Sequence, residues 1–260
     1  MKHSEAAGGS VPVPQDQHLT DQAYVVPASF AQQRLWLLDQ FTPGTANYNI
    51  PRLLRLSGRL DQSALSRTLD EIVRRHEGLR TTFAAQSGRP VQVIADEMHT
   101  EMPVVDLSHL PEPGREAEAL RLAEQEIRRG FDLKQGPLWR ANLWRLDSDR
   151  HLLLLNLHHV ISDGWSMGVL NRELTTLYSA FVQGLPSPLP ELPIQYADFS
   201  EWQREWLSGD VLERQLGYWR EKLRDVPVLD LPLDRPRPPV QSFDGASRTV
   251  RIPQALSKDL

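Results

Sequence analysis

From Arg150 to His159 the chain reads Arg-His-Leu-Leu-Leu-Leu-Asn-Leu-His-His. An apolar run this short and unbroken marks a strand covered on both faces, because a strand with one wet face alternates instead. The turn signal Asp147-Ser-Asp-Arg150 leads into it, and Leu170, Leu174, Leu177, Tyr178 and Phe181 then recur at helical spacing until Gly184. Any fold for this chain must therefore bury one central strand and turn it directly into a helix. His158, His159, Asp163 and Gly164 fall at that junction, the kind of place where sheets present chemistry. Successive side chains alternate across a strand, so at most one of His158 and His159 faces a given cleft.

The remaining pattern supplies the layers around that strand. Ser29 and Gln32 have capping-box spacing for a helix that carries Leu35 and Leu38 to Phe41 before Pro43-Gly44. Arg34 and Trp36 read there as ordinary helix surface, and structure is expected to begin near Pro27. Leu53, Leu54 and Leu56 form a strand ended by Ser57-Gly58. Asp61 caps a helix that turns Leu65, Leu69, Ile72 and Val73 inward, and Arg74, Arg75 and His76 suit the dipole at its far end. Residues 79–85 pair with 91–94 through Gln86-Ser-Gly-Arg-Pro90, and a helix over about 115–129 ends at Gly130. Trp139, Ala141 and Leu143 alternate in a strand that hairpins with the central one. Prolines 186, 188, 190 and 193 make a rigid crossing. Leu212, Leu216, Trp219 and Leu223 then mark a helix capped by Asp210, and prolines 227, 232, 236, 238 and 239 an extended tail. Together these predict an α/β fold of α+β sandwich type, helices packed on a mixed or antiparallel sheet. Residues 1–24 read as a flexible lead-in and 25–260 as one lobe.

Composition removes several function classes. A net charge of −5 without a basic stripe argues against nucleic acid, and zero cysteines exclude a disulfide scaffold and a thiol nucleophile. No apolar run reaches membrane-spanning length and no signal-peptide core opens the chain, so the expectation is a cytoplasmic protein with no membrane partner. His-His-x-x-x-Asp lacks the i, i+4 histidine pair of a helix-borne zinc site. Gly164-Trp-Ser166-Met-Gly168 matches the nucleophile elbow of serine hydrolases. In an elbow, however, the glycine follows the strand directly and the triad histidine comes later, whereas Val160 to Asp163 intervene here and all eight histidines precede Ser166.

His158-His159-Val-Ile-Ser-Asp163-Gly164 after an apolar strand resembles the core motif of nonribosomal peptide synthetase condensation domains. Three further stretches agree in order and spacing: Ser29-Phe-Ala-Gln-Gln-Arg-Leu-Trp-Leu-Leu38, Arg75-His-Glu-Gly-Leu-Arg-Thr-Thr-Phe83 and Tyr196-Ala-Asp-Phe-Ser-Glu-Trp-Gln203. The core pattern alone is shared with chloramphenicol acetyltransferase-like enzymes, but four ordered matches are specific. The resemblance covers about residues 25 to 260 and stops half-way through the family's domain, before the motif containing Phe-Val-Asn-Thr.

The resemblance implies a chloramphenicol acetyltransferase-like lobe, the first of two that face each other across a tunnel. It also implies peptide-bond formation between a donor acyl or peptidyl thioester and the amine of an acceptor aminoacyl thioester. The domain binds no cofactor in this picture, since substrates arrive on the phosphopantetheine arms of carrier proteins. The partners are donor and acceptor peptidyl carrier proteins, the C-terminal lobe and a neighbouring adenylation domain. His159 takes the proton role, as base or positioner, beside His158, and the Gly164 N–H is a donor to an oxyanion or substrate. Asp163 is expected to pair with Arg75 or Arg80, although its position also fits a helix cap. The residues around the motif resemble domains joining an L-donor to an L-acceptor. Alternatives are a CoA-dependent small-molecule acyltransferase, a non-catalytic docking lobe and the serine hydrolase.

Overall fold

The computed structural model describes residues 23–236, 238–239, 243 and 248–259. In chain order its strands are β1 (Ala23–Pro27), β2 (Asn49–Ser57), β3 (Thr81–Gln86), β4 (Arg89–Ala95), β5 (Val104–Asp106), β6 (Trp139–Arg145) and β7 (Arg150–His158). The helices are α1 (Phe30–Phe41), α2 (Gln62–Arg75), α3 (Glu112–Ile127), α4 (Gly164–Val182), α5 (Tyr196–Trp206), α6 (Gly209–Lys222) and α7 (Gln254–Asp259), with a 3-10 turn at Glu77–Arg80.

β7 is central in a four-stranded sheet ordered β2-β7-β6-β5. It runs antiparallel to both neighbours, while β5 joins β6 in parallel. The unbroken leucine run has a direct cause in the layers above and below. Leu153, Leu155 and Leu157 meet Leu65, Leu69, Ile72 and Val73 of α2 and Leu174 and Leu177 of α4. Leu152 and Leu154, on the opposite pleat, meet Ala119 and Ala123 of α3. The mixed, helix-covered sandwich read from sequence is the fold observed.

A second, antiparallel sheet has the order β1-β4-β3. Its β3–β4 hairpin turns on Ser87 and Gly88, both at positive φ (51° and 76°), the backbone that a two-residue hairpin of this twist requires. β1 was missed by the sequence pattern, which placed the onset of structure near Pro27; β1 begins at Ala23, inside the segment read as lead-in, while residues 1–22 lie outside the described ones. A buried polar chain ties this sheet to α1 and α5. Gln32 Nε2 donates to Gln92 Oε1 (3.0 Å), Gln92 Nε2 to Ser200 Oγ (3.2 Å), and Ser29 and Tyr196 share a hydroxyl bond of 3.0 Å. Trp36, read as surface, instead packs against the cluster around Phe83 and Leu138.

The chain divides into two units, residues 1–213 and 214–260. In the second, Tyr218 and Trp219 meet edge-on at 5.3 Å and the Lys222 ammonium lies 5.9 Å from the Tyr218 ring. Asp210 does not cap α6, as its spacing suggested; it sits within the first turn, one residue after Gly209. Among the described residues no helix is long and apolar enough to cross a membrane.

Candidate active site

The end of β7 is gripped from both sides. His158 N–H donates to Leu138 O at 2.9 Å and His159 N–H to Tyr48 O at 2.8 Å, so the strand leaves the sheet at a fixed point. Alternation then separates the two imidazoles. His158 points inward at 2% exposure, its ring 6.1 Å from those of Tyr48 and Phe131. Its Nδ1 accepts the Val160 N–H at 3.1 Å, which requires the neutral ring with its proton on Nε2. Burial first, and the neighbouring His159 second, pull its pKa from 6.5 to about 4.

His159 points the other way, exposed, into a groove of about 490 Å³. Its Nδ1 lies 2.8 Å from Ser162 O, and a carbonyl only accepts, so Nδ1 carries the hydrogen and Nε2 keeps its lone pair. The groove is walled by Leu35, Tyr48, Leu79 and Ile161, and Trp165 stands on its rim at 84% exposure.

Asp163 lines the groove too, in a different capacity from the one expected. Its Oδ1 accepts the Ser166 N–H at 2.8 Å and the Ser166 hydroxyl at 2.6 Å, a capping box at the start of α4. The bonds from Ser166, with a smaller contribution from His159, hold its carboxyl below the usual range against a burial effect that raises it. The expected tie to Arg75 or Arg80 is replaced by others. Arg75 binds Glu173 of α4 at 3.3 Å, while Arg80 donates to Ala95 O and sits 3.9 Å from Glu77. A carboxylate here can serve either a cap or an ion pair, and the backbone donors left open by the helix start supply its partner in the Ser166 N–H. The capping bond also occupies the Ser166 hydroxyl: it donates to the Asp163 carboxylate, not to an imidazole. Gly164 is the first residue of α4, exposed, and a Cβ there would touch nothing within 4 Å.

The sequence pattern gives no role to Glu173 and only the helix dipole to His76, whereas the structure joins the two at 2.8 Å. Glu173 is buried on α4 and receives both Arg75 and His76. It lies on the inward face between Leu170, Leu174 and Leu177, and a charge in the apolar stripe of an amphipathic helix was the signal available.

A family model for the condensation domain matches residues 22–260. The chain belongs to the condensation-domain family. It is 54% identical over 236 residues to a linear gramicidin synthase of Brevibacillus parabrevis, covering 90% of this chain and 5% of that protein. It is 46% identical over 256 residues to phosphinothricin tripeptide synthetase PhsC of Streptomyces viridochromogenes, covering 98% of this chain and 24% of that one. The condensation-family sequence thus spans a small part of the curated relatives it matches. Among solved structures, the first condensation domain of the calcium-dependent antibiotic synthetase, in complex with a substrate analogue, is 25% identical with a TM-score of 0.69, over 78% of this chain and 50% of that one. The X-domain solved in complex with OxyB from teicoplanin biosynthesis is 31% identical with a TM-score of 0.73, over 88% and 50%. The fold is therefore the chloramphenicol acetyltransferase-like one of nonribosomal peptide synthetase condensation domains, and the chain spans about half the length of those structures.

Proposed function

We propose that the chain forms the amino-terminal lobe of a domain that joins a donor acyl or peptidyl thioester to the amine of an acceptor aminoacyl thioester. Both substrates are delivered on phosphopantetheine arms of peptidyl carrier proteins, the donor and the acceptor entering a tunnel completed by a second lobe, with an adenylation domain as neighbour. The observation that carries this reading is His159 in the groove, with its Nδ1 hydrogen committed to Ser162 O. The amine nitrogen attacks the thioester carbon, the C–N bond forms, the C–S bond breaks, and the proton lost by nitrogen ends on the thiolate sulfur. An α-amine titrates near ~7.7 to 8.0, so an appreciable fraction of it is already nucleophilic at neutral pH. What the site must supply is a proton acceptor for the tetrahedral intermediate, and Nε2 of His159 meets that need. His158 supports the turn from inside, and Asp163 fixes the start of α4 so that Gly164 presents an N–H at a helix N-terminus, suited to a developing oxyanion. Arg75 and Arg80 serve as structural ties in this scheme.

The test is a mass-spectrometric condensation assay with loaded donor and acceptor carrier proteins, run on a protein that joins this chain to its second lobe. His159→Ala is expected to lose on the order of 10²-fold or more in turnover, and Ser166→Ala far less. Labelling of Ser166 by a fluorophosphonate with loss of turnover in Ser166→Ala would instead establish a hydrolase. A docking role is the second reading, favoured by the likeness to an X-domain solved in complex with OxyB; absence of turnover in every version, wild type included, selects it.

A further inference from the structure

The groove holds a second imidazole. His76, where α2 ends, lines it together with His159. Its Nε2 lies 2.8 Å from Glu173 Oε2. Glu173 is 5% exposed and Arg75 3% exposed, and the guanidinium reaches both carboxylate oxygens, at 3.3 and 3.5 Å. Arg75 is anchored in turn by Pro190 O at 2.9 Å, and the Gln195 side chain spans Arg75 O and the Glu77 N–H. Burial acts to raise the Glu173 carboxyl, yet bonding from His76 and then Arg75 outweighs it and leaves the group below its usual range. It is therefore a carboxylate, able only to accept.

That fixes the tautomer of His76. Its Nε2 must carry a hydrogen in either charge state, and in the neutral ring Nδ1 is left as a lone pair. No hydrogen bond to Nδ1 is made among the described residues. His159 has the opposite assignment, with Nδ1–H held by a carbonyl and Nε2 open. One groove thus offers two basic nitrogens, one backed by a neutral dipole and one by a buried carboxylate, the latter being the arrangement that best stabilises an imidazolium.

We propose that His76 is a second substrate-contacting base of the groove, its Nδ1 accepting an N–H of the acceptor's amine while Glu173 holds its tautomer. The nitrogen lone pair stays free for attack, and His159 receives the proton released afterwards. This rests on the condensation reading above. Glu173 from α4 is the charged group bonded to His76, Arg75 at the end of α2 shares that carboxylate, and Arg34, His159 and Asp163 line the same groove.

His76→Gln is the informative change, because its amide N–H still serves Glu173 but no basic nitrogen remains. In the loaded-carrier assay, turnover at neutral pH is expected to fall about 10-fold. The KM for the acceptor carrier should rise while that for the donor carrier stays. A purely structural role does not split the two KM values in this way. If His159→Ala is inactive but His76→Gln keeps the wild-type rate and acceptor KM, the role of His76 is overturned and the condensation reading stands; full turnover in His159→Ala overturns the condensation reading itself. Long-range proton–nitrogen NMR correlations on the unaltered chain decide the tautomers independently of folding in any variant. They should show Nε2–H for His76 and Nδ1–H for His159, and added alanyl-pantetheine amide should shift the His76 Nδ1 resonance. A protonated Nδ1 on neutral His76, or no shift, sinks the proposal.

Discussion

A proton on His158 would sit among Tyr48, Phe131 and the ends of two flanking strands, where burial leaves its charge poorly solvated. The folded chain therefore binds that proton only near pH 4, whereas the unfolded chain binds it near 6.5. The sign follows from linkage: His158 contributes fully above pH 6.5, and its contribution is lost as pH falls from about 6.5 toward 4. The window corresponds to roughly 3 kcal/mol. Chemical denaturation at pH 7.5 and 4.5 should show this loss in the wild type and a smaller one in His158→Gln. At Asp163 the capping geometry sets the expectation. Asp163→Asn keeps an accepting oxygen and should melt nearly as the wild type, while Asp163→Ala should cost about 1 kcal/mol, the usual worth of an N-cap. Equal melting of both variants would deny the cap.

Between elements, the Arg75–Glu173 contact joins α2 to α4 beneath the groove, with both partners almost wholly buried. Glu173→Ala strands a buried guanidinium and should cost about 3–5 kcal/mol, while Arg75→Met with Glu173→Leu removes both charges and should cost far less. Thermal melting of the single and double variants checks this, and additivity would refute it. Gly130 makes a second joint. A Cβ there would lie 1.8 Å from Gly44 O, whereas one on Gly168 would meet nothing within 4 Å. Gly130→Ala must displace backbone and should destabilise strongly. Gly168→Ala, inside α4, should stabilise by up to about 1 kcal/mol. These joints also show what sequence could and could not disclose. Ser29 with Gln32, Asp61 with Ala64, and the leucine run of β7 were legible because their partners are local or their periodicity is the partner. The Arg75–Glu173 pair spans 98 residues, and no spacing rule reaches that far. β1 and the three-residue β5 were missed for a related reason: their existence is decided by the strands beside them, β4 and β6. At the site, the junction and the outward His159 were readable, but the fate of Asp163 was not, since one carboxylate at a helix start satisfies both patterns.

For the molecule as a whole, the two units differ in how much chain they bury. No residue of α6 is buried, and residues 223–236 are exposed with neither helix nor strand assigned. Trypsin should therefore cut first at Arg224, since Pro236 protects the bond after Arg235, leaving a fragment with the melting transition of the intact chain; first cuts between α1 and α4 would contradict this. Against the solved condensation domain, of which it covers 50%, the chain alone should turn over carrier-bound substrates far more slowly than a version extended through the second lobe, because one wall of a tunnel cannot exclude water. Equal rates would end the half-domain reading. The bond from His159 to Ser162 has a wider implication. It ends on a main-chain oxygen, which every amino acid supplies. Ile161 and Ser162, which line the groove, can therefore exchange side chains without disturbing which ring nitrogen is basic. A synthetase lineage, or an engineer, can redraw the lining of the groove for a new pair of substrates and keep the proton-handling atom where it was.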